Sequence, residues 1–181
     1  MAYASEDLIH EHEGILFGMT ILEKMAENLA GNGPVEVDDY GEMVNFLKLF
    51  ADKCHHGKEE GLLFPAMERA GIRKENGPIG QMLYEHGIGR KYLAEMTAAL
   101  EGGKIEKDTF GKAANGYIEL LRSHIGKENR TLFPMGDEAI PAAEQERLLA
   151  AFEKFEAEVM GAGTHERLHK MLDTFERKYL A

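Results

Sequence analysis

His55 and Glu59, and again His124 and Glu128, stand four residues apart in segments that read as helix. That spacing puts both side chains of a pair on one helix face, one turn apart, so each pair can address a single point. Imidazole offers a neutral nitrogen, and a carboxylate offers oxygens that can bridge two cations while neutralising charge. The chemistry such pairs support is cation binding.

The two pairs lie in related strings. His55-His56-Gly57-Lys58-Glu59-Glu60-Gly61-Leu62-Leu63-Phe64-Pro65 aligns without a gap with His124-Ile125-Gly126-Lys127-Glu128-Asn129-Arg130-Thr131-Leu132-Phe133-Pro134, at a constant offset of 69. His56 and Glu60 have the same spacing, but only His55 with Glu59 matches the second copy. A shorter match, Glu11-His12 with Glu85-His86, has an offset of 74. The chain reads as a duplicated helical hairpin, each copy carrying one lone His and one His-x-x-x-Glu. A single His on an apolar stripe is ordinarily a hydrogen-bonded core residue. Four helices that each turn a His inward, two with a Glu one turn on, would bury six ionisable groups at severe desolvation cost unless a cation joins them.

The elements that must position these residues are long helices. Ser5 is a plausible N-cap for the first, with Glu6 and Asp7 in its first turn. It ends at Gly31-Asn32-Gly33-Pro34, and its stripe of Leu8, Ile15, Met19, Leu22, Ala26 and Leu29 includes His12. The second runs from about Asp38 to Phe64, where Pro65 interrupts or ends it. The third spans roughly Ile79 to Leu100, with Ile79, Met82, His86, Leu93 and Leu100 on one side. The fourth covers about Asp108 to Phe133, before Pro134, with Phe110, Tyr117, Leu121, His124 and Glu128 on one face. Short connections imply antiparallel neighbours, hence an all-α, up-down-up-down four-helix bundle over about 5–134. From Pro141, placed as a first helical residue, one or two C-terminal helices follow, broken at Gly161-Ala162-Gly163. No useful β-alternation appears. The length suits one domain, 1–181.

Composition narrows the function classes. A net charge of −11 argues against a nucleic-acid partner. No apolar run is long enough for a membrane span, and the acidic start, Met1 to Asp7, is unlike a secretory signal. One cysteine excludes an intrachain disulfide and fits a reducing, cytoplasmic location.

On these residues the chain resembles the hemerythrin-like (HHE cation-binding) family over about Leu8 to Pro134, the paired H-x-x-x-E-(E/N)-x-x-L-F-P strings making the match specific. The resemblance implies a non-haem di-iron centre with an oxo or hydroxo bridge. It implies ligands His12, His55 and Glu59 from the first half, and His86, His124 and Glu128 from the second, with Glu59 and Glu128 bridging. Oxygen-carrying members have a further His one turn beyond the third-helix ligand, where this chain has Arg90, so the second iron is expected to lose a histidine. Some relatives ligate through the residue after the first-repeat His. Here that is His56, a candidate seventh ligand; the alternative is a supporting pair of His56 with Glu60, since neighbouring helical residues point about 100° apart. Arg90 could pair with a bridging carboxylate or face solvent, and Tyr117 could hydrogen-bond a bound oxygen species or simply pack. His165 and His169 could cap the bundle and replace the missing ligand, with exposed surface positions as the alternative. His10 is expected in solvent and Cys54 in the core.

Three functions follow as expectations. A histidine-rich di-iron centre suits binding or sensing of O2 or NO, because neutral nitrogens leave iron less electron-rich than carboxylate-rich sites do. An open position at Arg90 would suit an enzyme that decomposes peroxide or reduces NO. Iron storage or iron sensing is the third.

Overall fold

The structure is a computed structural model that describes residues 2–181, so Met1 of the expected domain lies outside it. Six helices make up the fold, with no strand among the described residues. Helix α1 is Ala4–Ala30. Helix α2, residues 37–69, runs through the segments Val37–Phe46, Leu47–His56, Glu59–Leu63 and Phe64–Arg69. Helix α3 is Pro78–Ala98. Helix α4, residues 107–139, comprises Lys107–Lys127, Glu128–Leu132 and Phe133–Ala139. Helix α5 is Ala142–Met160, and α6, residues 164–180, is Thr164–Phe175 followed by Glu176–Leu180. None is long and apolar enough to cross a membrane.

Side-chain contacts fix the directions. Glu11 meets His55 while Tyr40 Oη donates to the Met25 carbonyl, so α1 and α2 are antiparallel. His12 meets Asn129 and Glu23 meets Arg122, so α1 and α4 are antiparallel as well. His86 with Glu60 and Arg90 with Asp52 set α3 against α2 in the same way.

Three local expectations are corrected. Ser5 is not the N-cap: the cap is Tyr3, two residues earlier, whose N–H donates to Glu6, and the buried Ser5 hydroxyl donates to Asp137 at 2.7 Å. Pro65 and Pro134 end nothing, because α2 continues to Arg69 and α4 to Ala139. A wide turn precedes each proline, with the Phe64 N–H reaching back five residues to Glu59 and the Phe133 N–H to Glu128. That turn re-sets the ladder, so each proline takes a first-turn position where no N–H donor is needed. Pro141 likewise precedes α5 as its cap rather than opening it.

The core is layered. One apolar cluster joins Leu8 to Leu63, Phe64, Ile79, Met82, Leu132 and Phe133 at one end of the bundle. A second joins Ile15, Met19, Phe50, Leu93, Tyr117 and Leu121 toward the other. Along every helix of the bundle the candidate ligands fall between these two layers. The C-terminal helices complete both. Phe152 of α5 enters the first layer, and Leu168, Leu172, Phe175 and Tyr179 of α6 enter the second. Gly161 and Gly163, at φ 73° and 76°, make the reversal between α5 and α6 in backbone that only glycine adopts without strain.

Phe152 is 1 % exposed and the Lys58 ammonium lies 5.3 Å from its ring centre. Phe152→Ala is therefore expected to cost about 3–5 kcal/mol in chemical denaturation. A loss within the range of a surface substitution, about 0.5 kcal/mol, would show that α5 is not part of the core.

Candidate metal centre

All seven candidate side chains, His12, His55, His56, Glu59, His86, His124 and Glu128, are buried in the polar layer. They form two groups whose ligand atoms lie within 4.8 Å of one another: His12, His55, Glu59 and Glu128, and His56, Glu59, His86 and His124. The carboxylates connect the groups. Glu59 Oε1 is 3.3 Å from His55 Nε2, and its Oε2 is 3.2 Å from His86 Nε2. Glu128 Oε2 is 3.2 Å from His12 Nε2, and its Oε1 is 3.1 Å from His124 Nε2. Each Glu thus faces the His of its own motif with one oxygen and the lone His of the other hairpin with the second.

Every imidazole turns Nε2 inward while Nδ1 is held from outside. Asn129 accepts from His12 at 2.7 Å, Glu11 from His55 at 2.7 Å, and Asp52 from His56 at 3.3 Å. Glu60 accepts from His86 at 2.7 Å and Glu85 from His124 at 2.8 Å. Holding Nδ1–H fixes the tautomer that leaves the Nε2 lone pair free for a metal. The repeat explains these supports. Glu60 and Asn129 occupy matched positions and each holds the lone His of the opposite hairpin; Phe64 and Phe133, also matched, stack on His86 and His12. Sequence reasoning missed Glu11, Glu85, Asp52 and Asn129 as supports. For Glu11 and Glu85 the signal was present, since each precedes a lone His in the repeat.

Arg90 turns away from the centre. Its guanidinium bonds Asp52 at 2.9 Å and Glu60 at 2.8 Å, the carboxylates that hold His56 and His86, rather than a bridging carboxylate. The alternative, a His56–Glu60 pair, does not form, because Glu60 is engaged with His86 and Arg90. His56 instead stacks on His86 with ring centres 3.8 Å apart, and its Nε2 joins the group of Glu59, His86 and His124. His165 and His169 are exposed, pack against each other at 4.5 Å and belong to neither group. His10 is exposed beside Glu13. Cys54 is buried near Glu11 and Glu156, and the Lys58 ammonium, bonded to both carboxylates, supplies the positive charge there. The Tyr117 hydroxyl is buried without a hydrogen-bond partner.

The residues fit a cation. His12, His55 and His56 Nε2 and all four oxygens of Glu59 and Glu128 are buried with no hydrogen bond, despite N–O approaches near 3.2 Å. Their lone pairs converge on shared points instead of on each other. Without a metal, protons must serve. Burial lowers the His55 and His124 pKa values, but Glu59 and Glu11 around the first, and Glu128 and Glu85 around the second, outweigh it and raise them to about 10 and about 9. Burial opposes the charge on Glu59 too, yet His55 and His86 hold it well below the usual carboxylate range.

A bundle with two linked, buried His and carboxylate groups defines a helical cation-binding protein. Residues 4–136 match the hemerythrin HHE cation-binding domain. The chain belongs to that family. Relatives include uncharacterised proteins of Mycobacterium bovis and Mycobacterium tuberculosis, each 24 % identical over 173 residues, covering 94 % of this chain and 68 % of theirs. No solved structure matches the chain.

The raised histidine values set a pH dependence. In metal-free protein the protonated histidines stabilise the fold fully below their unfolded value of about 6.5, and that contribution disappears as pH rises through about 9 to 10. Metal-free protein is therefore expected to lose Tm between pH 6.5 and 10. Metal-loaded protein should hold its Tm over that range, because binding needs the deprotonated ligands. Parallel Tm profiles for the two forms would contradict the assignment of these histidines to the site.

Proposed function

We propose that the seven inward side chains hold two iron ions, and that the pair reversibly binds or senses O2 or a related small ligand such as NO. The observation that carries this reading is the division of the carboxylate oxygens, with Glu59 and Glu128 each facing both groups of histidines. On this reading His12 and His55 would hold one ion and His56, His86 and His124 the other, with Glu59 and Glu128 shared between them. Bound iron supplies reversible redox chemistry and the capacity to take a small ligand.

The rest is the work of the chain. Five neutral imidazoles against two carboxylates make a nitrogen-rich set, which favours reversible binding over strong oxidation. The apolar layers on either side exclude water from the ions. The donors are unequal, two histidines and two carboxylate oxygens on one side, three and two on the other. With fewer histidines there, the His12 and His55 side is where an exogenous ligand would bind. That inequality also supports a second reading, an enzyme that decomposes peroxide or reduces NO, since metal catalysis needs an open position.

The test is iron content with the visible spectrum. Anaerobically loaded protein is expected to hold two irons per chain, to gain a visible band in O2 and to lose it when O2 is removed. Glu128→Ala and His55→Ala should each lower the iron content. Peroxide turnover that vanishes in His86→Ala would move the assignment to the enzyme, and less than one metal per chain would refute both readings.

A further inference from the structure

Two lysines stand just outside the centre at matched positions of the repeat, since 127 − 58 = 69. Lys58 makes a close contact with the Glu11 carboxylate, bonds Asp7 at 3.1 Å and Glu156 at 3.5 Å, and has no exposed surface. Lys127 makes the matching close contact with Glu85, but its side chain is 39 % exposed. Glu11 and Glu85 are themselves matched (85 − 11 = 74), and they accept the Nδ1–H of His55 and His124. Each half thus contains a Lys–Glu–His chain that ends on an inward Nε2.

We propose that Lys58 and Lys127 are positioning residues that set how strongly His55 and His124 donate electrons to the bound metals, acting through Glu11 and Glu85. The inference rests on the iron reading above. A carboxylate that accepts Nδ1–H makes a ligating imidazole more basic. An ammonium on the same carboxylate withdraws part of that effect. A more basic imidazole favours the oxidised metal, so the lysines raise the midpoint potential and the glutamates lower it. The two halves are unequal. Lys58 acts in a low-dielectric pocket, whereas water screens Lys127, so the larger influence falls on the His55 side.

Opposite signs separate this role from a merely structural one. In a spectroelectrochemical titration of the iron-loaded chain, Lys127→Met is expected to lower the midpoint potential, Glu85→Gln to raise it, and Lys127→Arg to leave it near wild type. Lys58→Met should lower it further than Lys127→Met, by about tenfold in the redox equilibrium constant, which is about 59 mV for a one-electron couple. Lys58→Met leaves Glu11 buried without its cation; if that variant does not fold, Lys127→Met and Glu85→Gln decide the question. Shifts of the same sign in those two, or unmoved potentials at full iron content, would overturn the inference and leave the iron reading standing. A wild-type chain that takes up no iron would overturn both.

Discussion

Glu59 and Glu128 bring two carboxylates to zero exposure, where an uncompensated anion costs several kcal/mol. None of their four oxygens has a hydrogen-bond partner. The remaining architecture answers that cost. Four helices turn imidazole Nε2 atoms toward the carboxylates, outer acceptors keep those rings from rotating, and two apolar layers close the polar one above and below. Protons on the histidines can balance the charge in the metal-free chain. A cation balances it while also satisfying the free lone pairs, which protonated histidines leave poorly aligned.

The duplication supplies this with a short vocabulary. Within each repeated string the His and the Glu face the centre, the Lys holds the Glu that supports the string's own His, and the residue after the inward Glu supports the lone His opposite. The Phe that follows stacks on that same lone His. The two hairpins therefore depend on each other, and neither holds a complete set of supports alone. Symmetry breaks at a few positions. His56 stands where the second copy has Ile125, and Arg90 ties down the two acidic residues behind His56 and His86.

Much of this was legible before the fold. Helix count, antiparallel order and the inward stripes follow from apolar spacing, and Leu8, Ile15, Met19 and Leu22 are buried as that spacing requires. The repeat alignment also selected His55 with Glu59. His56 stayed open because neighbours on a regular α-helix diverge by about 100°. In α2 the segment Leu47–His56 has wide turns, with the Gly57 N–H reaching Asp52, and such turns narrow the angle between neighbours. His55 and His56 can then both face inward. Wide turns at Glu59–Leu63 and Glu128–Leu132 hid the true helix ends, since Pro65 and Pro134 read as stops when the turn before each is taken as α-helical. Asn129 was invisible as a support because hydrogen bonds between helices depend on packing register, which spacing within one helix does not report; Asp52, four residues before His56 on the same helix, was within reach of the spacing argument.

The central claim is that two adjacent cations are joined by Glu59 and Glu128. An anomalous difference map at the iron edge, from crystals of the iron-loaded chain, tests it most directly. The account predicts two peaks about 3.5–4 Å apart, one within ligand distance of His12 and His55 and the other of His56, His86 and His124, with both glutamates spanning the pair. A single peak, or two peaks with His56 turned away from both, would contradict it.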